Sequence, residues 1–246
     1  MADGRSRQPG EGRGVLEGAF ALLEVLGRGE ELGLTRLAAD AGLPKATAHR
    51  LLDQLAALNA VQRRAGRYQL GPRIFRFGQS WRPAQEFRAA AASPLRRLAR
   101  ATGAGGFSLA VFDRERVMLV DGVGREVNEV FPLRAGTVLP PGTAPELLFA
   151  ASSREPAVPE GCSGREWARR VDAARQADLA YDEERRYVPV VCVAAPVRTR
   201  DGRIVAALAA STLDARKLPV LAEAVRRTAP VISANLRSLT RCPGSN

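Results

Sequence analysis

The stretch LTRLAADAGLPKATAHRLLDQLAAL (residues 34–58) decides the N-terminal fold. Leu37, Ala38 and Ala41 share one face of a short helix that Thr35 is placed to N-cap and Gly42 ends. Pro44 opens a second helix running to about Leu58. At the first helical position its missing N–H costs nothing. Ala48, Leu51, Leu52, Leu55 and Leu58 form the apolar stripe of this helix, and Lys45, Thr47, His49, Arg50 and Asp53 fall largely off it. Two helices joined by a tight glycine-containing turn predict a helix-turn-helix. The polar first half of the second helix suits a recognition helix, whose core face packs inward while its first turns enter the major groove.

Outward from this stretch the pattern stays regular. Upstream, Val15, Leu16, Ala19, Leu22, Leu23 and Leu26 recur at helical spacing, and Gly27 and Gly29 stop that helix. Residues 1–13 carry Gly, Arg, Pro and acids without periodicity and read as a disordered arm. Downstream, Asn59 suits a left-handed cap. Val61–Arg64 and Arg67–Leu70 are short strand-like runs around Ala65-Gly66, which predicts a β-hairpin. A basic hairpin after a helix-turn-helix is a wing, with Arg63, Arg64 and Arg67 beside phosphates or in the minor groove. Residues 72–92 read as a helical linker interrupted near Pro83. Ser93-Pro94 reads as the N-cap and first residue of a further helix, ended by Gly103.

Charge supports the same reading. The chain has 246 residues and a formal net charge of +11, nearly all from arginine, since Lys45 and Lys217 are its only lysines. A GC-rich genome alone gives that bias. Its placement is more telling: residues 45–82 carry eight basic side chains against one acid, Asp53. A local excess of that size suggests a polyanion, most simply nucleic acid.

After residue 105 the period changes. GFSLAVFDRERVMLVDGV, YVPVVCVAAPV and RIVAALAAST contain β-like apolar runs, and Asp201-Gly202 is a hairpin turn signal. Their unbroken apolar character suggests strands covered on both faces. Helical segments fall at about 143–151, 164–176 and 215–239, the last expected to bend at Pro230. This is an α+β domain with a largely antiparallel sheet.

Several chemistries find no support. There is no Walker loop, no G-x-G-x-x-G after a strand and no H-E-x-x-H motif. GCSG at 161–164 lacks the spacing and preceding strand of a nucleophile elbow, and His49, the single histidine, lies in another domain. Cys162, Cys192 and Cys242 have no metal-ligand spacing. No apolar run reaches the ~18 residues of a membrane span. A non-enzymatic cytoplasmic protein without cofactor or metal is expected.

The motif LTRLAADAGLPKATAHRLLDQLAALNAVQRRAGRYQLGPRIFRFG, with Arg50–Leu52 in the recognition helix and Tyr68-x-Leu-Gly71 at the wing's end, resembles the winged helix-turn-helix of the IclR family of bacterial transcriptional regulators. SPLRRLARATG and YVPVVCVAAPVRTRDGRIVAALAAS resemble the start and last hairpin of that family's effector-binding domain. The resemblance implies a GAF-like C-terminal domain, a dimer or dimer of dimers, an inverted-repeat operator in double-stranded DNA, and a small-molecule effector, commonly an organic acid. It places the effector pocket on Leu139–Pro145, Asp182–Glu184, Cys192 and Ser211.

The expected organisation is therefore an arm (1–13), a winged helix-turn-helix (14–71), a helical linker (72–92) and an effector-binding and oligomerisation domain (93–240). The expected DNA contacts are Thr35, Lys45, Thr47, His49, Arg50, Arg63, Arg64 and Arg67. Lys and Arg can donate to guanine O6 and N7, and a Thr methyl can touch that of thymine. The plainer reading is a solvated polar face. The expected effector contacts are Leu139, Thr143, Ala144, Asp182, Cys192 and Ser211. A helix beginning near Thr143 would turn its positive end toward an anion. Without the resemblance, Cys192 reads as core filler and Asp182 as part of a solvated acidic turn. A rival reading is a ligand-independent DNA-binding protein whose C-terminal domain only dimerises.

Overall fold

The computed structural model describes residues 14–103, 105–113, 116–183 and 189–239. The arm at 1–13, Glu184 and Cys242 lie outside them. The chain divides between Trp81 and Arg82 into two compact units.

In the first unit, α1 (Val15–Leu26), α2 (Leu34–Asp40) and α3 (Lys45–Ala57) enclose a core of leucines that includes Leu22, Leu37, Leu51 and Leu52. β2 (Val61–Arg64) and β3 (Arg67–Leu70) form the expected hairpin, and Ala65 and Gly66 both take positive φ, 46° and 78°. That handedness matches the twist of two-residue hairpins. A two-residue strand, β1 (Leu32–Gly33), pairs antiparallel with β3.

Three local readings change. Thr35 does not cap α2: Gly33, extended because it pairs with Arg67, is the N-cap, and Thr35 sits exposed in the first turn. Pro44 is the N-cap of α3 rather than its first residue. α1 buries Gly18, Leu22, Val25 and Leu26, so its face is rotated from the expected one. Val15, Leu16 and Phe20 are exposed. Gly18 sets the rotation, because a Cβ there would meet Leu51 Cδ1 at 2.9 Å.

α4 (Pro72–Gln79) closes the first unit, and α5 (Arg82–Thr102) opens the second. The helices break at Ser80-Trp81, close to the expected interruption. Ser93-Pro94 opens no helix: Pro94 is buried inside a continuous α5. The carbonyl it deprives of a helical partner, that of Ala90, accepts a bond from Asn235 Nδ2 at 2.9 Å.

The second unit is built on β4 (Gly106–Asp113), β5 (Arg116–Val123), β6 (Ala180–Asp182), β7 (Val191–Arg198) and β8 (Ile204–Thr212). They form one antiparallel sheet in the order β5-β4-β8-β7-β6. Both faces are buried. Phe107, Leu109, Val193, Ala195, Leu208 and Ala210 pack against α5 and α9 (Leu218–Leu239). Ala110, Cys192, Ala194, Ala207 and Ala209 face α6 (Arg125–Val130), α7 (Ala144–Ser152) and α8 (Gly164–Ala177). Pro230 lies inside α9 as one helix. β6 and α6 are too short to be read from periodicity. No helix among the described residues is long and apolar enough to cross a membrane.

Candidate functional site

In the first unit, α3 buries Ala48, Leu51, Leu52 and Leu55 and exposes Lys45, His49, Arg50 and Asp53, with Thr47 half-buried beside them. His49 Nδ1 lies 3.2 Å from Asp53 Oδ2 one turn on. Thr35 is exposed at the start of α2.

The hairpin holds the three expected arginines in different ways. Arg64 is exposed on β2. Arg63 lies over the Tyr68 ring, its guanidinium carbon 5.5 Å from the centroid. Arg67 donates from Nε and Nη2 to the Glu31 carbonyl at 3.1 and 2.5 Å, tying β3 to the segment before β1. A residue outside the expected set, Arg73, donates to the Leu58 carbonyl and covers the Phe77 ring. Gly71 ends the hairpin because nothing larger fits: an added Cβ would lie 2.3 Å from the Asn59 carbonyl.

In the second unit, α7 and the loops before it cover two cross-strand rows of the sheet. One row runs Asp182, Cys192, Ser211, Gly106; the next runs Ala180, Ala194, Ala209, Ser108. Between the rows and the covering segments is a cavity of about 30 Å³, lined by five expected residues, Leu139, Thr143, Asp182, Cys192 and Ser211. Ala144 does not line it; its methyl is buried in the core beneath α7. Ser108, Phe131, Leu133, Pro140, Pro145, Val190 and Ala209 complete the lining. Pro140 and Pro145 belong to the expected Leu139–Pro145 stretch. The other five were not singled out as contacts, because the placing of β4 beside β8 and the approach of Phe131 and Leu133 have no local signature. The volume holds a water or two.

The polar end of the cavity is tightly held. α7 begins as expected after Thr143, its N-cap, but the Thr143 side chain makes no capping bond, and the second residue of the helix is Pro145, which has no N–H. Thr143 Oγ1 is buried without a hydrogen-bond partner, which costs ~1–3 kcal/mol. The preceding Gly142 has φ 81°, donates its N–H to Glu146 Oε2 at 2.5 Å and gives its carbonyl to Arg170 Nη2 at 3.1 Å. Arg170 also reaches the Tyr181 carbonyl and lies 3.7 Å from Asp182 Oδ1, with both side chains largely buried. α8 thus ties the loop before α7 to β6. Burial raises the Glu146 carboxyl above its ordinary value, against the lowering effect of the Gly142 bond. Burial pushes the Cys192 thiol up to about 12, with Ser211 opposing and Asp182 adding to the shift. Cys192 is a buried wall residue of the cavity.

Comparison with known proteins follows the same two-part division. Residues 15–65 match the model of the IclR helix-turn-helix domain, and residues 156–234 that of the bacterial transcriptional regulator IclR C-terminal domain. The chain is 32% identical to the glycerol operon regulatory protein of Streptomyces griseus, covering 90% of this chain and 95% of that protein. It is 30% identical to the glycerol operon regulatory protein of Streptomyces coelicolor, with the same coverage. Among solved structures it is similar to an IclR homolog from Microbacterium hydrocarbonoxydans complexed with 4-hydroxybenzoate (TM-score 0.75, 21% identity, 92% of this chain and 100% of that one). It is also similar to the Thermotoga maritima IclR (TM-score 0.64, 18% identity, 90% and 98%).

Proposed function

Because the chain belongs to the IclR family of bacterial transcriptional regulators, we propose that it binds operator DNA through α3 and the β2–β3 hairpin, under control of a small molecule held in the cavity beneath α7. The observation that carries the DNA half is the exposed polar start of α3, Lys45 to Arg50, on a helix whose other face is core. Lys45, Thr47, His49 and Arg50 contact base edges or phosphates, with Thr35 beside them. Arg63 and Arg64 contact the backbone, with Arg67 bracing the wing. Phosphate contacts position the protein, and base contacts specify.

A helix-turn-helix pair reads two half-sites of an inverted repeat, so the working species is a homo-oligomer. The exposed apolar side of α1, with Leu16 75% and Phe20 64% accessible, is the self-association surface of the first unit. The protein acts in the cytoplasm, where its DNA is.

The effector half is supported by the unpartnered Thr143 hydroxyl in a cavity lined by five of the six expected effector contacts, and by the ligand-bound state of the similar Microbacterium protein. A ligand alters DNA affinity only by binding two conformations unequally. The narrowness of the cavity favours the rival reading, in which the second unit only associates.

The test is fluorescence anisotropy on the chain's own upstream intergenic DNA and on scrambled DNA across salt concentrations, with Lys45→Ala/Arg50→Ala as control. A native-sequence preference that persists as salt rises and disappears in the double variant supports the proposal. Equal, steeply salt-sensitive binding to both DNAs refutes sequence-specific reading at that site. Saturable small-molecule binding separates the effector reading from its rival.

A further inference from the structure

We propose that the groove between α9 and the outer end of β7 binds a small phosphate monoester through Arg198, Arg226 and Arg237. The groove lies on the face of the sheet opposite α7. It is separate from the cavity beneath α7 and does not rest on the effector reading.

The groove has a volume of about 200 Å³ and is lined by α9, β7 and the junction of α8 with β6. Arg226, Pro230, Ser233 and Arg237 recur at helical spacing and form one row along α9. Ser233 fixes that row on β7: its Oγ accepts the Arg198 N–H at 2.9 Å and donates to the Ala229 carbonyl at 2.9 Å. Among the described residues, β6 pairs with Cys192, Val193 and Ala194 alone, so β7 from Ala195 to Arg198 is the sheet edge here. Pro196 on that edge has no N–H to offer an added strand. Recognition in the groove therefore falls to side chains.

Among the described residues, three guanidiniums and one carboxylate line it. Arg198 is held in place, with Nη1 donating to the Gly202 carbonyl at 2.7 Å and Nη2 to Asp178 Oδ1 at 2.5 Å. A guanidinium has five N–H donors, so donors remain for a ligand. Asp178, left-handed at the end of α8 (φ 50°), forms a neutral pair with Arg198. Arg226 and Arg237 then give the lining an excess of two positive charges. Glu223 lies 4.0 Å from Arg226 but bonds Arg227 at 2.6 Å.

That excess matches a phosphate monoester, which carries about −2 at neutral pH. Guanidinium forks bond phosphate oxygens in pairs. A monocarboxylate neutralises half the charge and brings two oxygens to three forks. The remaining lining suits an organic body: Ala195, Ala229 and Pro230 cover carbon, and the Asp178 carboxylate accepts from a hydroxyl. A volume of about 200 Å³ equals roughly six or seven waters at ~30 Å³ each. It holds a phosphate group and the start of a short chain, with the rest reaching solvent past the exposed Arg226 and Pro230.

The full-length protein is titrated calorimetrically at constant ionic strength. Ribose 5-phosphate and glucose 6-phosphate are the monoester probes, with inorganic phosphate and acetate beside them. Saturable heat with a monoester, weakened at least about tenfold in Arg226→Gln/Arg237→Gln, is expected. Thermal unfolding checks that the variant is folded. Arg169→Gln/Arg216→Gln removes the same charge from exposed positions outside the groove and is expected to bind like wild type. Equal weakening in both double variants assigns the binding to general positive charge and overturns the proposal. Inorganic phosphate or acetate binding as tightly as the monoesters overturns it, as does the absence of saturable heat with both monoesters. DNA anisotropy across salt on Arg226→Gln/Arg237→Gln tests the other source of phosphate. A log–log slope flattened by about 0.9 or more would assign these arginines to the DNA backbone and overturn the proposal as well.

Discussion

Asn235 Nδ2 donates to the Ala90 carbonyl at 2.9 Å, and that carbonyl is the one Pro94 leaves without a helical N–H. The bond joins α9 to α5 where both helices lie on one face of the sheet. Asn235→Leu is expected to lower the stability of the second unit by about 1–3 kcal/mol, the cost of a buried acceptor left unpaired. Pro94→Ala restores the missing donor, so the loss is expected to shrink when both changes are combined. A double-mutant cycle in urea reads the coupling. Additive losses would mean that the bond is incidental.

The arginines of the hairpin are expected to separate by role. Arg63→Ala and Arg64→Ala should weaken binding to native and scrambled DNA alike. Each should flatten the salt dependence by about 0.9 in log–log slope, one phosphate contact apiece. Arg67→Ala removes the bonds to the Glu31 carbonyl. It should mainly cost stability, about 1 kcal/mol, with a smaller change in salt slope. Lys45→Ala should act on sequence preference, by about 1–3 kcal/mol between right and wrong sites. Anisotropy across salt concentrations and thermal unfolding together sort the four.

What was legible in the sequence had a local cause. The helix-turn-helix could be read because Ala48, Leu51, Leu52 and Leu55 keep helical spacing and the Ala65-Gly66 turn is a two-residue signal. The continuity of α5 could not be read, because the group that compensates Pro94, Asn235, lies 145 residues along the chain from the Ala90 carbonyl it bonds. β1 has two residues and exists only through its pairing with β3. The face that α1 buries differs from the one its spacing predicts, because Leu16 and Leu22 are equivalent by spacing and the close approach of Leu51 to Gly18 decides between them. Most of the cavity residues came from the family resemblance. Ser108 and Ala209, paired across β4 and β8, did not. Only the strand order puts them there.

The rotation of α1 leaves Val15, Leu16 and Phe20 exposed. Exposed apolar clusters mark interaction surfaces more often than chance. Phe20→Ser combined with Leu16→Ser is expected to shift the protein toward monomer and to weaken operator binding cooperatively, with little loss of fold, since neither side chain is in the core. Analytical ultracentrifugation reads the mass. An unchanged oligomer would assign association to the second unit.

Cys192 is buried, and its thiol is pushed up to about 12 by that burial. Alkylating reagents react with the thiolate, so at pH 8 Cys192 should stay unmodified in the native protein and react only after unfolding. The same shift has a stability consequence. The folded state holds the proton more tightly than the unfolded chain, with an ordinary value of 9.0, so stability is retained below about pH 9 and lost progressively toward pH 12. Cys192→Ser should remove part of that alkaline loss. Mass spectrometry after pulsed alkylation tests the first expectation and alkaline unfolding the second.

Glu146 is the complementary acid-side case. Its carboxyl is raised by burial despite the Gly142 N–H bond. A raised folded-state value means that its contribution is fully present at low pH, below the ordinary value of 4.5, and is lost as pH rises through the folded value. At neutral pH the buried charge is a cost. Glu146→Gln keeps an oxygen acceptor for Gly142 and removes the charge. The variant is therefore expected to unfold at a temperature equal to or above wild type at pH 7, with the difference shrinking toward pH 4. A variant markedly less stable at pH 7 would show that the charge is needed where it sits. The effect of Arg170, whose Nη2 holds the other side of Gly142, would then outweigh desolvation in that turn.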